Sequence, residues 1–220
     1  MKRTRFLLMI LFLQLCVSMQ AQIPQEVKKV LANCNEKMSN PAGIEIDMKV
    51  SSGIAFVKFN IDVKMYSKDE KSFMQMTAKV LGKEMKTESG FDGVTEWNFK
   101  HKLSSKGVDT LTISKPKKKP KSEYDIDLDL DKEYKTAKMK TKGDYYEITF
   151  TNPLDKEMPK QTVMLINKKT GYFHEMTAKQ SGVSMKMTAV KIKVGVSDSV
   201  FKFDINRYPG AKVIRKLLNH

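Results

Sequence analysis

From Gly43 onward, apolar residues fall at every second position in one segment after another. Ile44, Ile46, Met48 and Val50 alternate with Glu45, Asp47 and Lys49. Past the Ser51-Ser52-Gly53 turn, Ala55, Val57, Phe59, Ile61, Val63 and Met65 share one face, opposed by Lys58, Asn60, Asp62 and Lys64. Met74, Met76, Ala78 and Val80 repeat the pattern after a charged turn at 67–71. A period of two is that of a strand with one face against an apolar interior and one in water. Gly82-Lys83 leads to a further strand containing Met85, and Asp92-Gly93 is a hairpin signal ahead of Glu96-Trp97-Asn98-Phe99. Strands are expected again at 109–114, 136–142, 145–151, 161–167 and 172–179. In 184–194 the apolar set changes phase, from Met185, Met187 and Ala189 to Val190, Ile192 and Val194, which predicts a bulge near Ala189-Val190. Tyr124, Ile126, Leu128 and Leu130 also alternate, but against Asp125, Asp127, Asp129 and Asp131, a poor strand face whose state stays open. Phe201, Phe203 and a Tyr208-Pro209-Gly210 turn close the chain.

One segment has a different period. Val27, Val30, Leu31, Cys34 and Met38 recur at helical spacing behind Pro24, a residue suited to a helix start. The pattern therefore predicts a mainly β, α+β domain: one helix, then an antiparallel meander of about 11 strands. Eleven strands about 4.8 Å apart make a sheet roughly 50 Å wide, whereas a helix of about 15 residues is about 22 Å long. The helix cannot cover such a sheet. Its apolar face must curl on itself, split into a sandwich, or leave room for an apolar guest.

The residue types on that face bear on the choice. Met1, Met9 and Met19 aside, the 15 methionines lie in the body of the chain. Met48, Met65, Met74, Met76, Met85, Met164, Met176, Met185 and Met187 all fall within expected strands. Sheets ordinarily use Val, Ile and aromatics. The flexible, polarizable thioether instead adapts to guests of varied shape, although methionines can also simply fill a sandwich core.

Charge changes the picture less than its size suggests. The chain has 220 residues and a net charge of +15, with 40 Lys+Arg against 25 Asp+Glu. Its start reads as a secretory signal peptide over residues 1–21: Lys2, Arg3 and Arg5 precede an apolar run from Phe6 to Val17, and Ala21 offers a small residue for cleavage. That run is too short to span a bilayer. The remainder, 22–220, is expected to be a single domain and a monomer. Arg207 and Arg215 are its only arginines, so the arginine forks of nucleic-acid readers are missing and no nucleic-acid partner is expected. Five lysines and two prolines in 115–121 predict an exposed loop. Lys117, Lys118 and Lys119 there could solubilise the chain or meet an anionic membrane surface.

The chemistry-bearing residues form no constellation. His101, His174 and His220 lack metal-ligand spacing relative to one another and to cysteine. The aspartate run mimics a calcium loop, but Leu130 stands where that loop needs glycine and Thr136 where it needs glutamate. No nucleophile elbow, phosphate loop or dinucleotide fingerprint occurs. No enzyme activity, cofactor or metal is expected. Cys34, on the apolar face of the helix, reads as a buried thiol.

The order of features resembles the LolA-like family, the periplasmic carriers of outer-membrane lipoproteins. The resemblance is carried by the leader and single amphipathic helix and by the strand pair around Phe56-Val57-Lys58-Phe59. It continues through Phe91-Asp92-Gly93-Val94-Thr95-Glu96-Trp97, Leu165-Ile166-Asn167-Lys168-Lys169-Thr170-Gly171 and the closing Phe201-Lys202-Phe203-Asp204 with Tyr208-Pro209-Gly210-Ala211-Lys212-Val213-Ile214. It implies a strongly curved open half-barrel whose apolar concave face is closed by the helix and short lid segments. It further implies a periplasmic, Gram-negative protein that shields the acyl chains of lipoproteins or lipid between an inner-membrane donor and an outer-membrane acceptor. The alternative within this fold is a sensor of lipid or of a partner that ferries no cargo. The implied cavity residues are Met48, Val57, Phe59, Ile61, Met65, Met74, Met76, Met85, Trp97, Met164, Met176, Met185 and Met187, with Val27, Val30, Leu31, Cys34 and Met38 on the lid helix. Well-studied carriers latch the lid with an arginine on an early strand. No arginine stands between the leader and Arg207, so Lys58 or Lys64 would have to serve.

Overall fold

The computed structural model describes residues 23–54, 57–80, 83–102, 107–116, 128–180 and 182–216. The expected leader and the lysines at 117–119 lie outside these residues.

Helix α1 (Gln25–Met38) begins directly after Pro24, with Glu26 in its first turn and Lys37 in its last, both matched to the helix dipole. Strands β1 (Ile44–Ile54), β2 (Val57–Lys68), β3 (Lys71–Val80), β4 (Lys83–Phe91), β5 (Glu96–Lys100) and β6 (Thr110–Ser114) follow. A single helical turn, α2 (Leu130–Glu133), precedes β7 (Tyr134–Lys142), β8 (Tyr145–Pro153), β9 (Gln161–Asn167), β10 (Phe173–Gln180) and β11 (Val183–Val194). Two 3₁₀ turns, Asp198–Phe201 and Ile205–Arg207, lead to β12 (Lys212–Arg215). All twelve strands form one sheet in the order β12-β6-β5-β4-β3-β2-β1-β11-β10-β9-β8-β7, open between β12 and β7.

The expected meander is present with one strand more than the alternation predicts. The addition, β12, pairs parallel with β6 and is exposed throughout. Four residues without a buried face carry no period-two signal. The expected bulge is also present: Asp47 pairs with Lys191 and Met48 with Ala189, leaving Val190 as the extra residue. A second extra residue, His174, sits between Phe173, paired with Ile166, and Glu175, paired with Leu165. The open question over the aspartate run is answered in part. Leu128 and Leu130 are buried and 130–133 turns as helix, while 124–127 lie outside the described residues.

Register shows how the sheet distributes its apolar residues. Across β7 to β11 and β1 to β3, the buried side chains point to the side that carries α1, here the helix face. Ala137 opposite Phe150, Ile148 opposite Met164 and Met65 opposite Met74 are steps along it. From β3 to β6 the apolar set lies on the other side. Tyr66 is opposite Phe73, Phe73 opposite Gly90, Gly90 opposite Trp97 and Trp97 opposite Ile113. The segment after β11 packs there, with Val196, Phe201 and Tyr208 joining Phe73, Trp97 and Leu111 in one buried cluster, so this is the tail face. Each half of the sheet is thus covered on a different side.

Candidate functional site

Helix α1 covers only part of the helix face. Its Val27, Leu31 and Cys34 are buried against Tyr134 and Ala137 of β7, Ile148 and Phe150 of β8, Met164 and Ile166 of β9 and Phe173 of β10. The α1 stripe therefore packs as its spacing predicts, with Val30 and Met38 half-buried at its margins. The turn before β10 fixes its seating: a Cβ at Gly171 would lie 2.5 Å from Nδ2 of Asn33, and φ at that glycine is +76°.

Beside α1 the sheet is uncovered, and a cavity of about 480 Å³ opens there. That volume falls in the range of small-molecule pockets. Met48, Val50, Ile61, Val63, Met65, Met74 and Met76 line it from β1 to β3, and Met176, Ala178, Met185 and Met187 from β10 and β11. Leu130 and Glu133 of α2, Met158 and Pro159 of the β8–β9 loop, and Thr162 of β9 complete the wall. Half of the sixteen lining residues are methionine, and one, Glu133, is ionisable.

Eight of the thirteen residues expected in the cavity meet there: Met48, Ile61, Met65, Met74, Met76, Met176, Met185 and Met187. Met164 does not, because it lies beneath α1 with no exposed surface. Trp97 is on the tail face, buried among Phe73, Leu111 and Phe201. Its strand alternates correctly, but the apolar side of the sheet has already changed at β3, which alternation within one strand does not reveal. Phe59 has the register of the cavity face yet stands 42% exposed beyond the lining. Met85 is opposite Ala78 on that face and is likewise outside the lining. The side chain of Val57 lies outside the described residues.

Sequence reasoning did not single out Val50 and Val63 as lining, although they belong to the same alternating sets. Met158, Pro159 and Glu133 come from a loop and a helical turn, where no period marks them. Lys64 cannot replace a latch arginine in the cavity. It sits on the opposite face, 3.6 Å from Asp47. The side chain of Lys58 lies outside the described residues.

A second, smaller pocket of about 320 Å³ lies on the tail face around Glu88. This carboxylate is 1% exposed, an arrangement tolerable only with partners. The Tyr208 hydroxyl donates to Oε2 at 2.7 Å, Lys86 Nζ lies 2.6 Å from Oε1, and Arg207 Nη2 is 3.8 Å from Oε2. Burial, followed by the bond to Glu88, pushes the Tyr208 phenol far above its ordinary value. Asp198, between Lys68 and Lys71 at 3.2 and 2.9 Å, fastens the start of the same segment. These contacts moor residues 196–211 to the sheet.

Cys34 supplies a reporter for α1. Burial pushes its thiol up to about 11 from 9.0. The unfolded chain therefore loses this proton first as pH rises. Stability contributed by the neutral buried thiol is full below pH 9 and declines towards about 11. Denaturant midpoints measured from pH 8 to 11 are expected to fall more steeply for the native chain than for Cys34→Ala.

No protein-family model and no curated protein sequence matches the chain. Among solved structures it is similar to an uncharacterized conserved protein from Thermus thermophilus, with a TM-score of 0.54 at 11% identity over 87% of this chain and 99% of that one. It is also similar to a LolA superfamily protein from Nitrosomonas europaea, TM-score 0.37 at 9% identity, covering 80% of this chain and 97% of the other. A third similarity is to the lipoprotein LppX from Mycobacterium tuberculosis, TM-score 0.44 at 10% identity, covering 79% and 98%. The likeness to the Thermus thermophilus protein is that of a shared fold. At these identities the likeness concerns fold alone.

Proposed function

We propose that this chain is a non-enzymatic envelope protein that shields an alkyl chain of a lipid or lipoprotein in the methionine-lined cavity. The carrying observation is the composition of that wall: eight thioethers, six aliphatic or proline side chains beside them, and one ionisable group around about 480 Å³. Burying each CH₂ is worth about 0.8 kcal/mol, so a long chain gains several kcal/mol by leaving water. The resemblance of the sequence motifs to the LolA-like family supports this reading, and carriage to an outer-membrane acceptor is its finer form.

The fixed seating of α1 suggests a wall beside the cavity. A lid would require the helix to lift. Cys34 distinguishes the two, because a thiol reagent reaches it only when α1 opens. Labelling that accelerates on adding an alkyl ligand supports a lid, and labelling that tracks global unfolding alone supports a wall. The function itself is tested by lipid mass spectrometry on protein purified from its native envelope. An alkyl-chain lipid or lipoprotein recovered in stoichiometric amount is the expected result, and protein free of any such chain speaks against the reading.

The lysine-rich stretch of sequence at 115–121 has its own test. Exposed charges are screened beyond about 8 Å at physiological salt. Converting Lys117, Lys118 and Lys119 to Gln is expected to slow association with anionic vesicles at low salt and to change little at high salt. Equal rates at low salt would leave these lysines with a solubilising role.

A further inference from the structure

The rim of the cavity discriminates by its hydrogen-bonding capacity. Leu154 N donates to Glu133 O at 2.8 Å, and Gln180 Nε2 donates to Glu157 O at 3.1 Å, which ties α2 and the β8–β9 loop into a fixed edge. Tyr134 OH donates to Pro159 O at 2.9 Å and lies 2.7 Å from Thr162 Oγ1. A tyrosine hydroxyl has one proton, so the second contact uses the threonine's proton. Both hydroxyl protons at the rim are therefore spent within the protein. The strand amides beneath serve the sheet ladder. Among the side chains of the described lining residues, what remains for a guest is a set of acceptors: the Glu133 carboxylate, a lone pair on Thr162 and weakly accepting thioethers.

Resting on the alkyl-chain reading of the cavity, we propose that the site selects amphiphiles whose head donates hydrogen bonds and is not anionic. An ammonium head fits best, a neutral hydroxyl next, and a carboxylate or phosphate least. The lysine-rich surface attracts anions at long range, but salt screens that attraction, whereas Glu133 acts at contact.

The test compares decylamine, decanol and decanoate as competitors of a neutral environment-sensitive dye at neutral pH and ~0.15 M salt. For the native chain, decylamine is expected to displace the dye about fivefold more effectively than decanoate, the scale of a half-exposed ion pair. Glu133→Gln should erase that preference, and Glu133→Lys should reverse it. Decanoate binding as well as decylamine, or a preference that persists in Glu133→Gln, overturns the selectivity and leaves the cavity reading intact. Failure of all three to displace the dye overturns both.

Discussion

Met76→Asp is expected to lose alkyl-chain binding by more than about 100-fold while the far-ultraviolet circular dichroism of the sheet stays unchanged. Met76 lines the middle of the cavity wall on β3, next to Val63 across the β2–β3 pair and two residues from Met74. No described lining residue is cationic. A carboxylate there faces either an apolar guest or water, and seating the guest strips its hydration without compensation, a cost of several kcal/mol. The cavity opens to solvent, so the empty protein can hydrate the new group and keep its fold. Phe59→Asp is the informative companion. Its position has the register of the cavity face but is 42% exposed and outside the lining, so binding should change by less than about threefold. Dye displacement on the two purified variants checks the pair. Equal losses in both, or none in either, would mean the chain binds elsewhere.

Gly90→Ala should be the most damaging single methyl on the tail face, costing about 3 kcal/mol. A Cβ at Gly90 would lie 2.2 Å from Cζ2 of Trp97, with Cη2 and Cε2 at 2.6 and 2.7 Å. The indole cannot retreat. It is 1% exposed, 6.3 Å from the ring of Phe73 and 5.3 Å from that of Phe203, centroid to centroid. Overpacking of such a site costs about 1–3 kcal/mol or more. For a chain of this size, each kcal/mol lowers the melting temperature by about 2–4 °C. Gly53→Ala is the control, since nothing lies within 4 Å of its added Cβ. Thermal denaturation of both variants decides the matter, and a Gly90→Ala melting point within a degree of the native one would show that the indole repacks.

Much of this architecture is legible in the amino-acid pattern because burial on one face writes itself as alternation. Ile44, Ile46 and Met48 are buried where the pattern places them, and the phase change at Ala189-Val190 marks a real bulge. The stripe Val27, Leu31 and Cys34 likewise declares which side of α1 is covered. What the pattern lacks is the relation between strands. Trp97 and Met76 alternate equally well, yet they lie on opposite sides of one sheet, because the tail takes one half and α1 the other. Met164 and Met176 differ only in where the helix stops. The rim residues Glu133, Met158 and Pro159 reach the cavity through loop conformation, which leaves no periodic trace.

The pairing of β1 with β11 has a consequence for the order of assembly. Strands β1 to β6 are neighbours both in sequence and in space, and so are β7 to β11, so each meander can form from local contacts. The two are joined by a single pairing between segments about 140 residues apart. Such long-range closure is slow, because its entropy is lost before its contacts form. Synthesis runs from the amino terminus, so β1 waits with an unpaired edge and α1 waits without its partners on β7 to β10. The last strand of the second meander therefore acts as the seam of the molecule. Until β7 to β10 have emerged, the nascent chain exposes an unburied helix stripe, and until Val183–Val194 has followed them it exposes a sticky strand edge, surfaces of the kind that holding chaperones cover.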